Sequence, residues 1–258
     1  MQPAAFLGVD LAWGPRSRTG LAALDERGRL CDLAERRTDE EIVAWLRRWT
    51  DRPCLVGIDA PLVVTNPTGA RRCERELNAV FRRYDAGAHP SNTGRPVFAD
   101  GGRGRRLAAR LGLDIDPDSS GPRRALEVYP HPATVVLFRL GRTLKYKHKP
   151  GRDLESLRQA LQRLTEHLAG LVDADPPLVL GHCRDWARVE RQVATATRKS
   201  GLREVEDVVD AVVCAYVALL RARHPERTTV FGDLATGYIV TPTLPADHPP
   251  PAPRAHTR

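Results

Sequence analysis

Short apolar segments separated by polar turns open the chain. Residues 5–13, 19–24 and 30–33 are largely apolar, and the turn-like segment 25–28 separates the second from the third. This spacing predicts three consecutive strands that form a meander. Residues 53–59 are apolar along almost their whole length. Such a run is typical of a strand that is buried on both faces, as in a parallel sheet.

Three later segments carry the residue spacing of helices. Thr38 and Glu41 have the form of a capping box, which marks the start of a helix. One apolar helical face follows, formed by Ile42, Trp45, Leu46 and Trp49. Leucines at alternating spacings of three and four over 154–171 predict a second helix, whose apolar stripe faces the core. Apolar residues over 203–221 predict a third helix.

The segments between these elements define an insertion and a tail. Residues 61–125 are rich in arginine and glycine, which predicts a helical or irregular basic insertion after the fourth strand. Residues 125–129 predict one further short strand. Residues 242–258 hold six prolines in 17 positions, which predicts a disordered tail. The chain is therefore predicted to be an α/β protein with a single domain over 1–241.

Charge and cysteine content limit the classes of protein to which the chain could belong. The formal net charge of +8 favours an anionic partner. Segments 61–125 and 139–158 each carry a net charge of +5, so the positive charge is concentrated in two places. There is no run of about 18 apolar residues, so no membrane span is expected. Five widely spaced cysteines without a CxxC pair predict neither a zinc ribbon nor a disulfide framework, and they favour a reduced, cytoplasmic protein.

Carboxylates occupy positions where a core would favour apolar side chains. Asp10 lies in the first apolar segment, Asp59 ends the fourth, and Glu127 lies in the short strand at 125–129. Asp207 and Asp210 are three residues apart on the third predicted helix and therefore share one face. Buried charges need a cation or hydrogen bonds. Clustered carboxylates suit Mg²⁺ or Mn²⁺ rather than zinc, although each acid alone also fits a turn or a helix-dipole role.

The order of these acids along the chain suggests how they meet. If strands one and four are parallel neighbours, Asp10 and Asp59 lie side by side, and a helix packed across the sheet brings Asp207 or Asp210 to the same point. Two ions about 3.5–4 Å apart would then clamp the attacking and leaving oxygens of a phosphodiester. The acids thus predict a metal-dependent hydrolytic site.

Six segments, in this order, carry a resemblance to a known family. They are 6–13 (FLGVDLAW), 56–62 (VGIDAPL), 127–130 (EVYP), 144–147 (LKYK), 206–211 (EDVVDA) and 237–240 (GYIV). The chain resembles the domain-of-unknown-function 429 family, whose members are described as predicted ribonuclease-H-like nucleases. The resemblance implies a mixed five-stranded sheet flanked by helices. It also implies Asp10, Asp59, Glu127 and Asp207 or Asp210 as the catalytic metal ligands.

Basic residues and one histidine complete the candidate site. Three of the four lysines in the chain, Lys145, Lys147 and Lys149, fall in one pentapeptide. These lysines, together with Arg71 and Arg103 of the insertion, are candidates for phosphate contacts, and a solvated surface is the alternative. His131 follows closely after Glu127 and is a possible general base, with a structural role as the alternative.

Three functions remain open at this point. The first is a nuclease that hydrolyses phosphodiester bonds with two Mg²⁺ or Mn²⁺ ions. The second is an ATP-handling protein of the actin and sugar-kinase type, which has the same sheet topology, although no Walker A motif or second glycine-rich phosphate loop is present. The third is a nucleic-acid-binding module without catalysis, based on the basic segments alone.

Overall fold

The computed structural model describes residues 3–14 and 17–253, and one mixed sheet forms its centre. The five strands are β1 (Ala5–Asp10), β2 (Thr19–Asp25), β3 (Leu30–Arg36), β4 (Cys54–Ile58) and β5 (Arg123–Glu127). Their order across the sheet is β3-β2-β1-β4-β5. The first three strands form an antiparallel meander, and β1, β4 and β5 are parallel. The predicted α/β class and five-stranded sheet are confirmed, and the topology is consistent with a ribonuclease-H-like fold.

Helices flank this sheet, and a β-hairpin forms a second, two-stranded sheet. The helices are α1 (Asp39–Thr50), α2 (Arg72–Phe81), α3 (Gly102–Arg110), α4 (Pro130–Leu137), α5 (Leu154–Ala169), α6 (Arg184–Thr195) and α7 (Lys199–Arg223). The predicted capping box of α1 is present, with Thr38 accepting from the Glu41 amide. Strands β6 (Thr228–Asp233) and β7 (Gly237–Pro242) pair in an antiparallel hairpin outside the main sheet. In residues 3–14 and 17–253, no helix is long and apolar enough to cross a bilayer.

Helix α7 lies directly against the backbone of the sheet. A Cβ atom on Gly8 of β1 would overlap the carbonyl oxygen of Ala211 in α7. Gly20 of β2 and Gly57 of β4 likewise face the α7 backbone at distances too short for a side chain. Three neighbouring strands therefore carry glycine where the helix crosses them. Because the helix approaches the sheet so closely, the acids of α7 lie near the ends of the strands.

The basic insertion after β4 is mostly irregular, as predicted. It contains α2 and α3, and its remaining residues form loops and short turns up to the start of β5. Strand β5 begins at Arg123 rather than at the predicted residue 125. The β5 backbone is extended by its pairing with β4, in which Cys54 lies opposite Arg123. The insertion therefore returns to the sheet two residues earlier than the apolar pattern alone indicated.

Residues 243–253 differ from the predicted disordered tail because they pack on the body of the protein. The Ala252 amide donates to the Gly141 carbonyl over 2.8 Å. The Tyr84 hydroxyl donates to a proline carbonyl of the tail. Proline lacks an N–H, but its carbonyl remains a full hydrogen-bond acceptor, so a proline-rich segment can still be anchored. The rest of the predicted tail, 254–258, lies outside the described residues.

Candidate functional site

Lys147 lies among the carboxylates at one end of the central strands. Its Nζ is 2.6 Å from Asp210 Oδ2, 3.0 Å from Asp10 Oδ2 and 3.2 Å from Asp207 Oδ1. Asp59 follows β4 beside the end of β1, and its backbone amide donates to the Val9 carbonyl. We call Asp10, Asp59, Asp207 and Asp210 the carboxylate cluster. The structure thus brings together four of the five acids predicted from the sequence.

The fold explains why these four acids meet. In the parallel pair of β1 and β4, Val9 lies opposite Ile58, so the residues that follow, Asp10 and Asp59, leave the sheet at the same edge. Asp207 and Asp210 are one helical turn apart on α7, and Asp210 is only 1% exposed. The glycines under α7 bring that face of the helix onto the strand ends. The site therefore depends on both strand pairing and helix docking.

The segment around Lys147 is fixed at several points. The Tyr146 hydroxyl donates to Asp210 Oδ1 over 2.5 Å, and the tyrosine is buried. Arg152 Nη1 donates to the Lys147 carbonyl over 2.6 Å. The His148 amide lies 3.3 Å from Glu206 Oε2. Because these contacts lie on both sides of Lys147, the backbone that carries the ammonium is held in place.

Electrostatics show that the carboxylate cluster holds more acidic groups than the nearby ammonium can compensate. Burial raises the pKa of Asp10 to about 8, although Lys147 acts in the opposite direction. Burial also raises the pKa of Asp59 well above its usual value, and the charges of Asp10 and Asp210 add to this rise. Burial alone would lower the pKa of Lys147, but Asp10 and Asp210 outweigh it and raise that pKa well above the usual value. One ammonium therefore compensates only part of the charge that four ionised carboxylates would carry.

Glu127, the fifth predicted acid, has a different partner. Arg71 Nη2 lies 2.5 Å from Glu127 Oε1, and Arg71 Nη1 donates to Oε2 over 2.9 Å. The Leu62 amide also donates to Oε2, and Arg71 Nε binds Glu74. Both oxygens of Glu127 are therefore engaged in a buried ion-pair network. The structure places Glu127 in this network and not among the oxygens that face Lys147.

We expect the substitution Arg71→Met to destabilise the protein strongly. Arg71 is 2% exposed, and its loss would leave Glu127 and Glu74 buried without their cation. Breaking such a buried pair from one side costs about 3–5 kcal/mol in the free energy of unfolding. Urea denaturation would measure the change. The control is Arg72→Met, because Arg72 is exposed and forms surface pairs; equal losses in both variants would contradict the assignment.

The predicted phosphate-binding residues divide into two groups. Arg71 and Arg103 are 2% and 5% exposed, so the prediction that they contact nucleic acid at the surface is wrong. Arg103 instead binds Asp39 and donates to backbone carbonyls, which ties the insertion to α1. Lys145 and Lys149 line an open cavity, and their contact with phosphate stays a prediction. Sequence alone does not distinguish these groups, because an arginine that bridges distant segments has no local pattern.

Lys147 lines a cavity of about 370 Å³ together with Lys145 and Lys149, but its ammonium contacts the acids. It was predicted from the sequence to be a phosphate-binding lysine like its two neighbours. In the structure its ammonium is instead engaged by Asp10, Asp207 and Asp210. No local sequence pattern indicates that Lys147 contacts these acids.

His131 lies beside the carboxylate cluster. Its ring packs edge-on against Tyr146, with 5.8 Å between ring centroids, and its Nδ1 is 3.5 Å from the Tyr146 hydroxyl. Burial lowers the pKa of His131 to about 3, and nearby lysines act in the same direction. The imidazole is therefore neutral at neutral pH, and its surroundings disfavour its protonation. Its role as a general base stays a prediction.

The described residues do not form a ready-made metal site. Within the part of the chain that the structure describes, no group of three or more His, Cys, Asp or Glu side chains is arranged to hold a metal ion. The physical reason lies in the position of Lys147, whose ammonium takes contacts with three of the four carboxylates. The oxygen-only donor set is nevertheless the kind that Mg²⁺ and Mn²⁺ favour.

The geometry defines an α/β domain with a carboxylate and lysine centre where two parallel strands end. The chain belongs to the family described as "Protein of unknown function (DUF429)", which it matches over residues 8–235. This range includes every member of the carboxylate cluster, and it confirms the family predicted from the sequence. No curated protein and no solved structure matches the chain.

Proposed function

We propose that the protein is a metal-dependent phosphodiesterase that hydrolyses nucleic acid, with Mg²⁺ or Mn²⁺ as the cofactor. The observation that carries this proposal is the convergence of four carboxylates, from β1, β4 and α7, on one small, half-buried volume. Burying so many like charges is costly unless a cation compensates them. Binding of a catalytic cation is the function that best explains why the protein keeps these carboxylates close together.

The residues present fit such an ion. Burial raises the pKa of Asp59 well above its usual value, its carboxylate accepts no hydrogen bond among the described residues, and Asp10 lies next to it on the neighbouring strand. Asp10 and Asp59 would hold the ion, with Asp207 and Asp210 completing the anionic surroundings. A bound Mg²⁺ or Mn²⁺ supplies an activated water and charge compensation at the phosphate. Tyr146 fixes Asp210, and His131 Nδ1 lies 3.5 Å from the Tyr146 hydroxyl.

A basic groove beside the carboxylate cluster supports nucleic acid as the substrate. A cavity of about 370 Å³ is lined in part by His131 and by Lys147, whose ammonium contacts the carboxylate cluster. It shares Lys145, Lys149 and His89 with an open groove of about 900 Å³. Arg75 and Arg82 of the insertion also line this groove. Cations along a groove attract a phosphate backbone independently of base sequence.

Cleavage assays on the full chain test the proposed function. Single-stranded and duplex DNA, RNA and a branched junction are incubated with Mg²⁺ or Mn²⁺, and parallel samples contain EDTA. We expect cleavage of at least one substrate with metal and none with EDTA. The absence of cleavage for every substrate would overturn the proposal, and thermal stabilisation by ATP would favour the ATP-handling alternative.

We also propose a cytoplasmic location, because all five cysteines are free thiols.

We expect the double substitution Arg75→Ala and Arg82→Ala to weaken nucleic-acid binding. The loss of two phosphate contacts lowers the salt slope of the binding constant by about two. Fluorescence anisotropy with a labelled oligonucleotide in EDTA, at several KCl concentrations, measures both affinity and slope. The matched control is Arg163→Ala and Arg191→Ala, which removes two exposed arginines from α5 and α6. Equal slopes for the two double variants would contradict a role for the groove.

A further inference from the structure

We propose that Lys147 permanently occupies the position of one cation, so that the site holds one divalent ion and one ammonium. This inference rests on the proposed function and deepens it. It replaces the two-ion arrangement expected from the sequence with a mixed pair of cations. Lys147 is then a positioning residue for three carboxylates and not a contact for nucleic acid.

The use of carboxylate oxygens is the first argument. Both oxygens of Asp210 are engaged, Oδ1 by the Tyr146 hydroxyl and Oδ2 by Lys147. Lys147 also contacts one oxygen each of Asp207 and Asp10. A second ion on this side would need the same oxygens, at the shorter distances that Mg²⁺ demands. The ammonium and such an ion therefore compete for one position.

The opposite side of the carboxylate cluster is different. Among the described residues, the Asp59 carboxylate accepts no hydrogen bond and forms no ion pair, and it follows β4 beside Asp10 at the end of β1. Asp10 Oδ2 contacts Lys147, which leaves Asp10 Oδ1 for another partner. Within the described ranges, Asp59 therefore offers two oxygens, whereas Asp10 and Asp207 each retain one beside their contact with Lys147. This is the side on which one divalent ion fits.

The support of the lysine backbone is the second argument. Arg152 donates to the Lys147 carbonyl, and the amide of the next residue, His148, contacts Glu206. On the other side, Tyr146 is buried and bound to Asp210. Moving the ammonium out of the cluster would break its three ion pairs while its backbone stays anchored. A freely exchanging surface lysine would not have these contacts.

The number of ions bound by the full chain tests the inference. Isothermal titration calorimetry with Mn²⁺ is performed on the wild type, on Lys147→Met and on Lys199→Met. Methionine keeps most of the lysine stem but removes the charge, and Lys199 at the start of α7 is the matched control. We expect one Mn²⁺ in the wild type and in Lys199→Met, and two in Lys147→Met. Electron paramagnetic resonance should then detect a spin-coupled Mn²⁺ pair only in Lys147→Met.

The outcomes separate this inference from the proposed function. Two ions in the wild type, or the same number in the wild type and Lys147→Met, would overturn the role of Lys147 and leave a metal site in place. No Mn²⁺ binding in any of the three proteins would overturn the proposed function together with the inference. If Lys147→Met does not fold, Lys147→Gln replaces it. If the wild type binds two Mn²⁺ ions, that result alone overturns the inference, even without a folded Lys147 variant.

Discussion

The substitution Gly8→Ala should destabilise the whole domain and abolish the site with it. The new methyl group would overlap the Ala211 carbonyl oxygen and the Ala215 amide nitrogen, both part of the α7 backbone. Backbone cannot rotate away as a side chain does, so the helix must lift from the sheet. Overpacking of this kind costs about 3 kcal/mol or more. Each kcal/mol lowers the Tm by about 2–4 °C in a domain of this size.

Thermal unfolding and Mn²⁺ titration measure the two consequences of Gly8→Ala. The control is Gly170→Ala at the end of α5, where an added methyl group meets nothing within 4 Å and φ is −66°. We expect Gly170→Ala to match the wild type in Tm and in metal binding. A Gly8→Ala protein with a wild-type Tm would show that α7 does not lie as close to β1 as described.

The second large effect is expected for Asp10→Asn, which should keep the fold and lose the activity. Asparagine has nearly the same shape, and Lys147 retains Asp207 and Asp210 as partners. The charge that would bind the ion is lost. Changes around metal ligands cost 10- to 100-fold in affinity, so we expect the loss of a ligand to cost at least about 100-fold. Cleavage should fall to the level measured in EDTA.

Calorimetry with Mn²⁺ and the cleavage assay measure these losses on the same sample of Asp10→Asn. Asp173→Asn is the control, because Asp173 is an exposed carboxylate in the short turn after α5. It should bind Mn²⁺ and cleave as the wild type does. Wild-type metal affinity in Asp10→Asn would remove Asp10 from the site, and cleavage that persists without metal binding would exclude the proposed chemistry.

Patterns with a short period were sufficient to predict most of the fold. The apolar segment that contains Asp10 and the one that ends at Asp59 predicted two strands, and the spacing of Asp207 and Asp210 predicted their common helical face. Adjacent parallel strands end at the same sheet edge, so the meeting of the acids followed from topology. The Thr38 capping box was equally local, since its two hydrogen bonds span only three residues.

Contacts between distant segments could not be predicted from such patterns. Arg71 and Glu127 are 56 residues apart, and nothing in either neighbourhood indicates that they form one buried pair. Lys147 reaches Asp10 across 137 residues for the same reason. Gly8 lies within an apolar strand, and its tight contact with α7 becomes visible only when the helix is in place. Long-range pairing, and not local propensity, determined these parts of the site.

The late position of α7 in the chain makes the order of synthesis relevant. A nascent chain that has not yet reached Lys199 already contains β1 and β4, together with Asp10 and Asp59, but neither acid of α7. The Lys147 ammonium then lacks two of its three carboxylate partners. The centre is therefore assembled only after α7 has been synthesised. Products that end before Lys199 carry no complete carboxylate cluster, so they lack the centre proposed for hydrolysis.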